Sequence, residues 1–272
     1  MNKHLIIGFS ALLAVLLPVP DSGAQQRQQA QTRAQGDRVQ PPPKSGLPAP
    51  RRDISGVWLG QVTFPPEPTP PLTRLGQELF DAARPLNGPR AVAIADSTDP
   101  LVTCDPLGFP RAIFYELRAF EFGLVKNKMI QLLQYQRVWR EIWMDGRKLP
   151  ANIGGEGDTP DPRYYGYSIG RWEDDYTFVV ESTGFSENSW ADQHAHPRSM
   201  NAHVEERYHR IDYDTMEITI TINDPKIYTK PWLGLKQRVY WHPKQEFEEQ
   251  PCIPSEALEY LSIVRPAAEG LK

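Results

Sequence analysis

From residue 118 onward, apolar and polar positions alternate in short runs separated by turn-forming residues. Phe120, Phe122 and Leu124 alternate before Lys126-Asn127-Lys128 turns the chain. Strands are predicted over 129–136 and 137–144, the second ending at Asp145-Gly146, a strong hairpin signal. A strand over 165–172 pairs with 176–183 through Glu173-Asp174-Asp175. Another, 201–211, pairs with 215–222 through Asp212-Tyr213-Asp214, and 235–241 is the last. Upstream, 55–62 reads as a first strand stopped by Pro65-Pro66. Helical spacing is confined to two stretches. One is 72–83, with Leu75, Leu79 and Ala82/Ala83 following Thr73 as a cap; the other is 254–261, opened by Pro254-Ser255-Glu256.

Eight or nine short strands joined by tight turns predict a mainly β fold. An antiparallel meander closed, or nearly closed, into a barrel is expected, with short flanking helices. A β-sandwich is the alternative. Closure is preferred because few of the strands carry the features of protected edges.

The chain begins differently. Lys3 and His4 precede an almost unbroken apolar run over 5–17, then Pro18, Pro20 and the small residues Ser22-Gly23-Ala24. That is the pattern of a secretory signal peptide over 1–24. The apolar run is shorter than the roughly 20 residues that a membrane-spanning helix needs. Residues 25–52 are rich in Gln, Arg, Pro and Ser, with too few apolar side chains to offset ordering entropy, and read as a flexible tether. Residues 53–272 remain as one β-barrel domain.

The formal charge is −4, from 30 basic and 34 acidic residues. No basic stripe appears, which argues against nucleic acid as a partner. Export implies an oxidising compartment, so Cys104 and Cys252 are expected to form a disulfide, worth up to ~5 kcal/mol in the chain-entropy model. No nucleotide, flavin or haem motif is present, and no cofactor is expected.

Candidate chemistry concentrates in 201–211. Alternation puts His203, Glu205, Arg207 and His209 on one face and Val204, Glu206, Tyr208 and Arg210 on the other. If the following turn holds an even number of residues, His209, Arg207 and Glu205 face Ile218, Ile220 and Ile222. The interior would then be a mixed lining suited to a ligand. His194-x-His196 with His203 and Glu206 has metal-ligand residue types at loose spacing, and no metal site is expected. Gly166-Tyr167-Ser168-Ile169-Gly170 matches the nucleophile elbow Gly-x-Ser-x-Gly, but the elbow needs a helix after the serine. Here a strand and hairpin follow, so close backbone approach in a barrel wall is expected instead. Gly154-Gly155-Glu156-Gly157 lacks the Lys-Ser/Thr pair and helix of a phosphate loop. Seven tryptophans are present; Trp190 and Trp232 fall in predicted loops, where they could stack on a ligand.

Several segments together carry a resemblance: Cys104-x-x-x-Gly108-x-Pro110-Arg111, Asp145-Gly146-Arg147, Ser168-Ile169-Gly170-Arg171-Trp172-Glu173, His203-x-x-Glu206-Arg207-Tyr208-x-Arg210 and Asp224-Pro225-x-x-Tyr228-Thr229-Lys230-Pro231-Trp232. Over about residues 53–252 the chain resembles a large family of uncharacterised secreted bacterial proteins. The resemblance implies a single exported domain and no particular reaction. Arg198 stands where that family often has His, and Asp174 where it often has Gly. Gly56-Val57-Trp58 also resembles the Gly-x-Trp start of lipocalin-like barrels.

The leading expectation is a periplasmic or secreted barrel binding a small, partly apolar, aromatic or anionic molecule, with no membrane span in the mature protein. Arg207 and Arg171 would fix the ligand's polar end, with Trp190, Trp232, Tyr167 and Glu205 around it. The alternative is a cofactor-independent lyase, isomerase or hydrolase in the same pocket. There His203 acts as acid or base, assisted by Asp192 or Glu206. A structural envelope module is the third reading.

Overall fold

The computed structural model describes residues 43–60, 68–114 and 119–270. The expected signal peptide, tether residues 25–42 and the end of the first predicted strand (61–62) lie outside them. Nine strands close into one barrel in chain order. They are β1 (Gly56–Gly60), β2 (Phe120–Val125), β3 (Lys128–Leu133), β4 (Val138–Trp143), β5 (Tyr167–Trp172), β6 (Thr177–Thr183), β7 (His203–Arg210), β8 (Thr215–Asn223) and β9 (Trp232–Trp241). β1 closes the ring by pairing with both β2 and β9. The sandwich alternative is therefore set aside.

The expected meander is antiparallel everywhere but at one seam. β4 and β5 run parallel, through only Ile142↔Ser168 and Trp143↔Ile169. Strand parity explains this. Direction alternates at each antiparallel neighbour, so a closed ring can be antiparallel throughout only with an even number of strands. Nine strands force a parallel pair somewhere. Parallel neighbours need a long return connection, and 144–166, the Gly- and Pro-rich loop, supplies it.

The interior is filled rather than hollow. Phe120, Phe122, Ile142, Phe178, Val180, Val204, Tyr208, Ile218, Ile220, Ile222 and Val239 form its core, all essentially inaccessible. Each such apolar side chain contributes ~1.5–3 kcal/mol by leaving water. Before β2, the chain sends Leu107, Phe109, Arg111, Ile113 and Phe114 into the core, the last four within or beside α2 (Arg111–Phe114). Arg111 is buried there with Asp99 in a bidentate pair of 2.8 and 2.7 Å. The β8–β9 register shifts between Ile220 and Thr221, at Gly234, where an added Cβ would lie 2.5 Å from Phe114. Gly170 plays a similar part in the wall: a Cβ there would lie 2.5 Å from Phe178 and 2.7 Å from Ile142.

Helix α1 (Arg74–Ala82) starts at Thr73, whose hydroxyl oxygen accepts from Gly76 N–H at 3.1 Å. Helix α3 (Pro254–Glu269) extends two turns beyond the expected end. Leu261 is its only buried residue, so the burial pattern that would mark those turns is missing. Cys104 and Cys252 are bridged, with Cα atoms 5.4 Å apart.

Residues 43–52, expected to belong to the free tether, instead lie against the turns of the barrel. Ser45 donates through N–H and Oγ–H to Asp214 (2.5 and 2.6 Å), Lys44 pairs with Asp212 at 2.9 Å, and Arg52 N–H reaches Asp175 O at 2.6 Å. These turns carry several aspartates, which supply acceptors the composition of the segment alone does not reveal.

Candidate functional site

β7 points the opposite way from the orientation required for a His203 pocket. Its turn to β8 has three residues, Asp212-Tyr213-Asp214, closed by Ile211 N–H to Thr215 O at 2.9 Å. Arg210 therefore pairs with Met216, Tyr208 with Ile218, Glu206 with Ile220 and Val204 with Ile222. His203, Glu205 and Arg207 face outward. His203 is 43 % exposed, with its Nε2 3.5 Å from Glu181. Arg207 pairs with Glu173 and lies 3.8 Å from Glu205. Arg171 is on the same outer wall, paired with Glu181. None of these four lines an enclosed site, so the expected ligand anchors and the expected acid–base histidine are corrected to surface ion pairs.

Glu206 is the exception. It is fully buried and forms the centre of a polar network inside the apolar core. Arg140 grips it with both terminal nitrogens, one at 2.9 Å. The Tyr208 hydroxyl donates to it at 2.5 Å, and Arg140 Nε donates to Gln131 at 2.7 Å. Ser168 and Ser182 hydrogen-bond each other at 2.8 Å beside the pair, and the Phe109 ring lies 3.8 Å from the Arg140 guanidinium carbon. Burial opposes the charge on Arg140, but Glu206 outweighs it and holds the guanidinium above its ordinary range. Burial and the neighbouring carboxylate push the Tyr208 phenol well up, so it stays a neutral donor. Ser168, the serine of the elbow-like motif, is mid-strand in this network, and among the described residues no imidazole partners it.

Outside this network the wall opens at the parallel seam. A cleft of about 840 Å³ lies between β4 and the 163–169 stretch. Five aromatic residues line it: Trp139, Trp143, Tyr164, Tyr165 and Tyr167. So do Arg140, Arg147, Lys148 and Arg163, against a single acid, Glu141. Trp139 is 64 % exposed, the largest exposure of any tryptophan among the described residues. Arg147 is held by Asp145, at 2.6 Å, and stacks 3.6 Å over Trp143. Arg163 lies 4.1 Å over Tyr167, and among the described residues neither it nor Lys148 forms an ion pair. Burial pushes the Tyr165 phenol up, keeping it protonated. Arg140 and Ser168 form the inner end, where the cleft meets the buried network.

Comparison with family models, with curated proteins and with solved structures finds no match. No activity or ligand comes to this chain from a relative.

Of the expected ligand residues, only Tyr167 reaches the cleft; its hydroxyl also donates to Asp161 O at 2.8 Å. Trp190 is half-buried over Arg111, at 5.3 Å. Trp232 starts β9 and is fully buried against Phe114, Tyr228 and His196 rather than lying on a loop. Asp192 is buried in a separate loop, 184–202. Burial raises its pKa, but hydrogen bonding and charge from His196 overcome that and hold the carboxyl below its ordinary value. Among the described residues no group of three or more His, Cys, Asp or Glu is placed to hold a metal ion, and no helix is long and apolar enough to cross a membrane. Arg198 is buried and donates to Ser189 at 2.6 Å and Ser186 O at 2.9 Å, tying the loop to itself.

The aromatic and cationic lining of the cleft went unseen in the sequence because its members are scattered over 139–169. Only the seam between β4 and β5 brings them together.

Proposed function

We propose that the protein is exported and binds a small, partly apolar anion, best an aromatic carboxylate, in the cleft at the β4–β5 seam. The observation that carries this is the lining itself. Aromatic faces occupy both sides, with four cations and one acid around them. Pockets of this size, apolar with a few placed polar groups, suit drug-sized ligands. Exposed Trp139 provides a face on which a planar ring stacks. Lys148 and Arg163, the cations without carboxylate partners, supply charge for an acid group. Arg140 is committed to Glu206 and closes the inner end rather than competing for the ligand. The disulfide is compatible with an oxidising compartment, and the pattern at 1–24 supports export. The resemblance to secreted bacterial proteins belongs to this same proposal.

Tryptophan fluorescence titrated with naphthoate and with its neutral amide tests the reading. Saturable quenching is expected, with the amide about tenfold weaker, since a hydrogen bond to a charged group contributes roughly 1.5–3 kcal/mol. The Lys148→Ala/Arg163→Ala variant should erase that preference. Equal affinity for acid and amide, or no saturation at millimolar concentration, would remove the anion site. The acid–base alternative in this pocket lacks its imidazole, since His203 is on the outer wall.

A further inference from the structure

A second arrangement lies away from the cleft, in the 184–202 loop. Asp192 is buried and accepts from the backbone N–H groups of His194 (2.9 Å) and His196 (3.1 Å) through one oxygen. Its other oxygen meets His196 Nδ1 at 2.6 Å. A carboxylate only accepts, so Nδ1 carries a proton, and in the neutral form of the ring Nε2 is the bare nitrogen. That nitrogen lies 3.1 Å from the hydroxyl of Thr69. In that form the hydroxyl donates to the ring.

Two features hold the threonine in place. Pro68 and Pro70 flank it and keep its backbone extended. The residues after it are pinned through Pro71 O, which accepts from Thr229 N–H and Oγ–H, both at 3.0 Å, and through Thr73 N–H to Ile227 O at 2.8 Å. The imidazole stacks on Phe80 at 5.1 Å and meets Trp232 in a T-shaped contact, also at 5.1 Å. Trp232 brings a buried indole N–H that has no hydrogen-bond partner. The His196 side chain keeps 14 % of its surface exposed, and Thr69 is half-buried, so the pair is reachable from solvent.

We propose that Thr69, His196 and Asp192 form a nucleophile, base and positioning carboxylate for hydrolysis of esters of small carboxylic acids. The chemistry follows the geometry. Thr69 Oγ1 bonds to the acyl carbon while its proton passes to His196 Nε2. The ester C–O bond breaks, and that proton leaves with the alcohol. Water then adds to the acyl-threonine, gives its proton to Nε2, and the carboxylic acid departs as Thr69 recovers its hydrogen. With only 14 % of the His196 side chain exposed, the approach admits a small acyl group. This inference does not rest on the cleft.

A fluorophosphonate probe with the full chain, read by intact mass and peptide mapping, tests it. A single phosphonyl adduct at residue 69 is expected in the parent protein and in Thr69→Ser. Thr69→Val should lose the adduct. His196→Gln should slow labelling by about 10²–10⁴-fold, the usual contribution of a general base, and hydrolysis of 4-nitrophenyl acetate should fall in parallel. Circular dichroism establishes that each variant is folded. A merely structural tie predicts no adduct. The proposal is overturned by an unlabelled residue 69 in both the parent and Thr69→Ser, by labelling elsewhere only, or by an unchanged rate in folded His196→Gln.

Discussion

Glu206→Gln is expected to destabilise the barrel by about 3–5 kcal/mol, because it leaves the Arg140 guanidinium buried without a counter-charge. The pair is sequestered on both sides, with side-chain exposures of 2 % and 0 %. The substitution also weakens the acceptor that Tyr208 uses. For a domain of this size each kcal/mol shifts Tm by ~2–4 °C, so a fall of roughly 6–20 °C is expected in thermal unfolding. Replacing both partners with apolar residues, Arg140→Met with Glu206→Leu, should cost much less than either change alone, since neither charge is then stranded. The cycle has a functional reading as well. Arg140 and Ser168 lie at the inner end of the cleft. A Glu206→Gln loss below ~1 kcal/mol would mean that water enters by that route and solvates the guanidinium, and the sealed network described above would be wrong.

Loss of the Cys104–Cys252 bridge is expected to cost about 2–5 kcal/mol. It closes a separation of 148 residues, which spans most of the barrel. The chain-entropy account gives long loops the larger effect, although strain and residual structure moderate it. Urea unfolding of Cys104→Ser/Cys252→Ser, beside the oxidised parent, measures this directly. A midpoint unchanged by the double substitution would show that the bridge adds nothing to folding. The local effect should be larger still at α3. Leu258 and Ile263 are 55 % and 64 % exposed, and Leu261 alone is buried, so little apolar contact holds this helix once the tether is cut. Proteolysis within 254–269 should then precede global unfolding.

The sequence made the barrel legible because its strands are short, alternating and marked by turns. The direction of β7 was harder, since charges occupy both of its faces: His203, Glu205 and Arg207 on one, Glu206 and Arg210 on the other. Alternation alone does not choose between them. Two quieter signals do. Val204 and Tyr208 share the face of Glu206, while the face of His203 has no apolar residue at all. The turn after the strand also has an odd number of residues, which places Ile218, Ile220 and Ile222 opposite Tyr208, Glu206 and Val204. Hydrophobic burial thus drew a glutamate inward because Arg140, 66 residues earlier, was there to receive it. No local pattern announces such a partner. The cleft was hidden for a comparable reason. Its residues belong to different runs, and only the count of strands, nine rather than eight, requires the break in pairing around which they gather.

That odd count also sets where the wall yields. Every other neighbouring pair is laced by three or more rungs, whereas β4 and β5 share two. Thermal breathing will therefore unzip the cylinder along this line first, sideways rather than at either mouth. On the proposed reading, a guest molecule enters through a flank that topology left half-stitched, while the packed centre stays shut.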